Sequence, residues 1–162
     1  MTYDNEVSVS MSARSQNEAF ARMAAAAFAA PLDPLISELT DIKTAVSEAV
    51  ANAIIHGYEN NNEGVVFLTF RSLGDEIIIT VADEGVGIDD VEQAMTPLYT
   101  SKPELERTGM GFTVMQTFMD HVEVTSAAGR GTTVEMRKTL VRQGNKSDFD
   151  RLFTGLSEPG ER

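Results

Sequence analysis

Glu48 and Asn52 stand four residues apart in a segment of helical apolar periodicity, so a carboxylate and an amide would leave one helix face together. An amide oxygen is a neutral hard donor suited to Mg2+, which bridges phosphates while keeping several waters. A carboxylate beside that metal can orient and deprotonate a hydroxyl or a water, the general-base part of phosphoryl transfer. Taken alone, the pair also fits an ordinary polar helix face. Asp83, Gly85 and Gly87 follow the apolar run 77–81. That puts a carboxylate at the mouth of a sheet, an acceptor for the exocyclic amine of adenine. An unpaired acceptor there would cost on the order of a few kcal/mol. The two glycines let backbone approach a flat base or take positive φ, and the plainer alternative is a strand-to-loop turn. Thr108, Gly109 and Gly111 precede the apolar segment 112–119. Free amides and the dipole at such a helix start suit phosphate oxygens. Lys102 and Arg107 are the cations in reach, although loop cations are commonly just solvated. The Thr132 hydroxyl, at the start of the last strand, is a further candidate beside the base.

The elements that must position these groups are readable in outline. Residues 6–11 alternate as a half-buried strand. Ser15 and Glu18 have capping-box spacing, and Phe20, Ala24, Ala27 and Phe28 would share the inward face of the helix that follows, ended by Pro31. Asp33 and Pro34 read as an N-cap and first-turn proline for a long amphipathic helix from Leu35 to Ile54, with Gly57 as its left-handed C-terminal residue. Residues 65–70 and 76–81 read as a hairpin around Gly74-Asp75. Periodicity fails from 88 to 108, where Pro97 and Pro103 fall, so that span is expected to be a functional loop able to act as a lid over phosphates. A helix over 109–119 and two strands, 121–126 and 132–137, with a turn at Gly129-Arg130-Gly131, complete the pattern. Met110, Met115 and Met119 are at core spacing, and His56 and His121 lack the spacing of a metal pair. Residues 1–140 thus form one domain. The polar tail 141–162 is expected to be mostly disordered, although Phe149, Leu152 and Phe153 could make a brief helical contact.

Composition removes whole classes of function. The 162 residues suit a single domain. Twenty-five acidic against thirteen basic residues give a net charge of -12, which disfavours direct binding to nucleic acid or anionic lipid. With zero cysteines, disulfides, thiolate zinc sites and cysteine nucleophiles are excluded. The longest apolar stretch, 24–30, falls far short of the ~20 residues of a membrane span, and no signal-peptide order precedes it, so a cytoplasmic protein is the default.

Each of the three groups is weak evidence by itself, but their order, with a long proline-containing loop between the second and third, matches the three ATP-binding boxes of the GHKL (Bergerat) ATPases. The segments 47–58, 82–88 and 100–112 resemble the anti-sigma F factors of spore-forming bacteria, and the likeness runs from about Ser8 to Lys138. The resemblance implies an α+β Bergerat fold: a two-layer α/β sandwich, with a mixed, mostly antiparallel sheet and helices on one face. It implies a homodimer that binds ATP/ADP with Mg2+, holds a sporulation sigma factor (sigma F) inactive and phosphorylates a serine of an anti-anti-sigma factor. Glu48 would be the catalytic base, Asn52 the Mg2+ ligand and Asp83 the adenine reader, while Arg22, Glu106 and Arg107 match partner-docking positions. Sensor histidine kinases share the ATP fold but need a separate phosphoacceptor domain. The tail departs from the family. The alternative is a nucleotide-gated binding module, of the anti-sigma B kind or another GHKL protein, in which ATP turnover is incidental.

Overall fold

The computed structural model describes residues 2–96 and 111–141. Its elements are β1 (Asn5–Ser12), α1 (Asn17–Ala29), α2 (Ile36–Asn52), β2 (Val65–Leu73), β3 (Glu76–Asp83), α3 (Val91–Ala94), α4 (Gly111–Phe118), β4 (His121–Ser126) and β5 (Thr132–Thr139). The strands form one sheet in the order β1-β2-β3-β5-β4, and all four pairings are antiparallel. The mostly antiparallel expectation is therefore met without a parallel pair among the described residues.

Alternation decides which sheet face is covered. Val66, Leu68 and Phe70 of β2 stand in register with Met11, Val9 and Val7 of β1. Ile79 and Val81 of β3 stand opposite Met136 and Val134 of β5. Paired residues share a face. Val7 stays exposed and Val9 packs half-buried against the core; the others join Ala21, Ala25, Phe28, Ile42, Val46, Val50 and Met115 in it, so α1, α2 and α4 lie on one side of the sheet. Among the described residues no helix covers the opposite face, and Val65 and Phe67 are partly exposed there. Ile78 is buried on that same face, between its register neighbours Arg71 and Arg137. Met115 and Met119 are core residues, as their spacing predicts.

Several local expectations are corrected. The inward face of α1 is Ala21, Ala25, Phe28 and Ala29, whereas Phe20 is 56% exposed and Ala27 faces solvent. An alanine-rich helix has little pattern to fix its rotation, and the Phe28 ring, stacked on Phe70 at 5.6 Å between centroids, sets it instead. The Ser15–Glu18 capping box does not form. Glu18 Oε1 accepts from Arg22 and from Ser47 Oγ, both at 3.0 Å, which draws it away from the helix start. The N-cap of α2 falls two residues later than expected, at Leu35, with Asp33 left-handed at φ 52°. The Glu38 carboxylate bonds the Leu35 amide at 2.7 Å and the Val141 amide at 2.8 Å, closing the helix start over the end of the sheet. Beyond Pro31 the chain makes a short 3-10 turn, Ala30–Leu32.

The largest departure is at the other end of α2. The helix widens into a π-helical turn, Ala53–Gly57, and positive φ falls on Glu59 and Asn60 rather than on Gly57. The expected lid is described as far as residue 96, where Asp90 caps the single turn α3 by accepting from the Gln93 amide. Its remainder, 97–108, lies outside the described residues. So does the tail beyond Val141, with Phe149, Leu152 and Phe153.

Candidate nucleotide-binding site

A cavity of ≈ 390 Å³ opens where the C-terminal end of α2, the loop after β3, the start of α4 and the start of β5 meet. Asn52, Asp83, Gly87, Gly111 and Thr132 all line it, together with His56, Gly57, Ile88 and Thr113. Residues far apart in sequence therefore converge as their types predict. The volume lies in the range of small-molecule and cofactor sites, roughly 300–1,000 Å³.

Asp83 ends β3 and is 7% exposed. Its Oδ1 accepts from the Gly85 amide at 2.9 Å, and the Thr132 amide also bonds the carboxylate. Burial nevertheless pushes its pKa above the ordinary carboxylate value, outweighing the lowering effect of those two amides. A buried acceptor of this kind gains from a ligand that brings a donor, and an amino group on a flat apolar base supplies one. Apolar side chains of Val81, Val134 and Ile88 frame the same end of the cavity.

Glycines build the close approaches around this carboxylate. A Cβ on Gly57 would lie 2.7 Å from the Asp83 carboxyl carbon, so the π turn can rest on Asp83 only with glycine there. Gly87 takes the positive φ that was one of its two expected parts, while Gly85 makes room for backbone instead. A Cβ on Gly85 would meet the Gly57 carbonyl oxygen at 1.9 Å, and one on Gly87, at φ 76°, would meet the Ala127 carbonyl oxygen at 2.0 Å. Both are needed for backbone to pass backbone, and Gly87 alone of the two lines the cavity.

At the other end, the Asn52 side-chain amide sits against the start of α4. A Cβ on Gly111 would lie 2.9 Å from Asn52 Nδ2 and 3.1 Å from Oδ1. An amide oxygen beside a helix N-terminus fits a divalent cation shared with phosphate oxygens, since Mg2+ takes few protein ligands and completes its shell with phosphates and water. Glu48 is half-buried one turn before Asn52 on α2, outside the residues that line the cavity. Arg22 on α1 donates to Ser47 Oγ at 2.8 Å, next to Glu48 and away from the cavity. Lys102, Glu106, Arg107, Thr108 and Gly109 lie outside the described residues.

Residues 11–138 match the family model for the histidine kinase-like ATPase domain. The chain is 58% identical over 135 residues to the anti-sigma F factor of Clostridium beijerinckii, covering 83% of this chain and 94% of that protein. It is 56% identical over 138 residues to the anti-sigma F factor of Anoxybacillus flavithermus, covering 85% and 94%. The chain belongs to the anti-sigma F factor family. Among solved structures, the RsbU and RsbW domains of Rv1364c from Mycobacterium tuberculosis align with a TM-score of 0.61 at 19% identity, covering 85% of this chain and 32% of that one. The catalytic domain of the histidine kinase ThkA aligns with a TM-score of 0.51 at 18% identity, covering 63% and 68%. Those two likenesses concern the fold, which is the α+β Bergerat architecture. An anti-sigma F factor with this ATPase domain is a nucleotide-binding protein, and the cavity is its candidate nucleotide site. No helix among the described residues is long and apolar enough to cross a membrane.

His56 and Gly57 are cavity residues that the sequence pattern assigned to a helix end. The signal available was their position: the tripeptide His56-Gly57-Tyr58 begins four residues after Asn52, and a glycine that contacts a distant carboxylate looks locally like any helix stop.

Proposed function

We propose that this chain is an ATP-dependent protein serine kinase and anti-sigma factor. It holds a sporulation sigma factor (sigma F) inactive and uses Mg·ATP to phosphorylate a serine of an anti-anti-sigma factor. The observation that carries this reading is the convergence of Asp83, Asn52 and Gly111 on one cavity, with Glu48 one helical turn behind Asn52. In this reading Asp83 and Thr132 receive the adenine, Asn52 holds Mg2+, and Gly111 with Gly109, Thr108, Lys102 and Arg107 meets the phosphates. Glu48 takes the proton of the acceptor hydroxyl. Mg2+ supplies charge neutralisation at the phosphates. Arg22, Glu106 and Arg107 form the docking surface by family likeness, which also extends to a homodimer.

Glu48→Gln tests the chemistry. Calorimetry should find ADP affinity within a few-fold of the parent, while transfer of radiolabelled γ-phosphate to the anti-anti-sigma protein falls by orders of magnitude. Undiminished transfer would remove Glu48 from the mechanism.

The position of Glu48 outside the cavity lining favours a second reading, a binding module whose lid orders around Mg·ATP so that a sigma factor docks while turnover is incidental. ATP that stays intact while sigma-factor binding tightens would select it.

A further inference from the structure

The loop that carries Asp83 is held by groups that do not line the cavity. Tyr58 follows the π turn, and its hydroxyl donates to the Val65 carbonyl at the start of β2 while accepting the Glu84 amide at 2.7 Å. Gly64 makes room for the ring, since a Cβ there would lie 2.5 Å from the Tyr58 Cγ. Beside it, the Gly57 carbonyl accepts the Val86 amide at 2.9 Å. On the far side of the loop Ser126, the last residue of β4, accepts the Ile88 amide at 2.8 Å and donates to the Gly131 carbonyl at 2.9 Å. A hydroxyl has one proton to give, so the 2.8 Å contact between Ser126 Oγ and Thr132 Oγ1 is donated by Thr132. Tyr58 and Ser126 are both absent from the cavity lining, whereas Asp83, Val86, Ile88 and Thr132 belong to it.

We infer that the Tyr58 and Ser126 hydroxyls are positioning residues that clamp the 83–88 loop from its two sides, so that base selectivity depends on two groups that never touch the base. The reason is geometric. Glu84 adjoins Asp83 in the chain, and the Asp83 carboxylate is tied back to the Gly85 amide within the same loop. If Glu84 loses its acceptor, the backbone on the C-terminal side of Asp83 is freed, and the carboxylate swings with it. Hydrogen bonds weaken steeply with misalignment, so a ligand donor aimed at Asp83 feels a small shift that a ligand without that donor does not. Ser126 acts through Ile88 and through the Thr132 hydroxyl, whose hydrogen bond it accepts.

The inference rests on Asp83 reading the adenine amine, and the test separates the two. ADP and purine riboside 5′-diphosphate, which lacks only the 6-amino group, are titrated by calorimetry into the full chain, its Tyr58→Phe and Ser126→Ala variants, and Asp83→Asn. The parent should prefer ADP, and Asp83→Asn should abolish the preference. Tyr58→Phe keeps the ring in place and should weaken ADP about fivefold, the worth of one displaced hydrogen bond, while leaving the deaminated nucleotide unchanged. Ser126→Ala should do the same from the opposite side. Equal losses for both nucleotides would mean a merely structural role and overturn the clamp, as would undiminished preference in both variants beside a selective parent. A parent without any preference would instead sink the adenine reading, and the clamp with it.

Discussion

The two ends of the cavity are built from different materials. At the base end, backbone packs on backbone: the Gly131 Cα faces the Asp83 carbonyl so closely that a Cβ would lie 2.0 Å from its oxygen, and the Gly129 amide bonds the Val86 carbonyl at 2.7 Å. At the Asn52 end, one side-chain amide leans on the first turn of α4. Backbone that is fixed by several elements has little conformational entropy left to lose when a ligand arrives, so it can discriminate shape and donor position. A side chain and a helix start offer charge and amides to any phosphate, whatever base it carries. Selectivity should therefore reside at the base end and metal dependence at the other.

The strongest attack on this contrast is Asp83→Asn, which should lower ADP affinity on the order of a hundredfold by calorimetry, because it removes the charged acceptor of a buried hydrogen bond. Comparable affinity in that variant would place selectivity elsewhere. Next in size, Gly131→Ala forces a side chain onto φ 78° and against the Asp83 carbonyl, and should cost about 2–3 kcal/mol in urea unfolding, with nucleotide binding impaired at temperatures where the protein is still folded. Asn52→Ala should weaken ADP about tenfold in Mg2+ and hardly at all in EDTA, since the amide acts through the metal. Equal loss in both buffers would assign Asn52 a direct phosphate contact.

The smallest effect is one of pH. The folded protein holds the Asp83 proton more tightly than the unfolded chain does, because burial raises its pKa. The stability tied to that proton is fully present below the unfolded carboxylate value and is lost as pH rises through the folded one. Asp83→Asn should therefore gain on the parent in ligand-free stability as pH rises through that window. Urea titrations from pH 4 to 7 measure it, and a parent that gains on the variant instead would mean that the Gly85 and Thr132 amides outweigh burial.

How much of this was legible depends on the range over which each feature is determined. The hairpin around Gly74 and the stripe of Ile42, Val46 and Val50 follow from local period, and both appear where the period put them. The rotation of α1 was not legible, because a run of alanines looks alike from every side until Phe28 meets Phe70. Glu18 had the spacing of a cap, but a stronger pairing with Arg22 and Ser47 across to α2 claimed it.

The site shows the same division. Residue type and order alone pointed to Asn52, Asp83 and Gly111, which line one cavity, and to Glu48, which stands outside its lining, since phosphate, metal and base chemistry each ask for particular groups. Only tertiary structure revealed that Gly57 lies under the Asp83 carboxylate, that Gly85 yields to the Gly57 carbonyl, and that Tyr58 and Ser126 grip the loop between them. Those contacts join residues 26 and 38 positions apart. A glycine or a hydroxyl carries no mark of the distant backbone it will meet, so that part of the design exists only once the sheet has paired and the helix has turned.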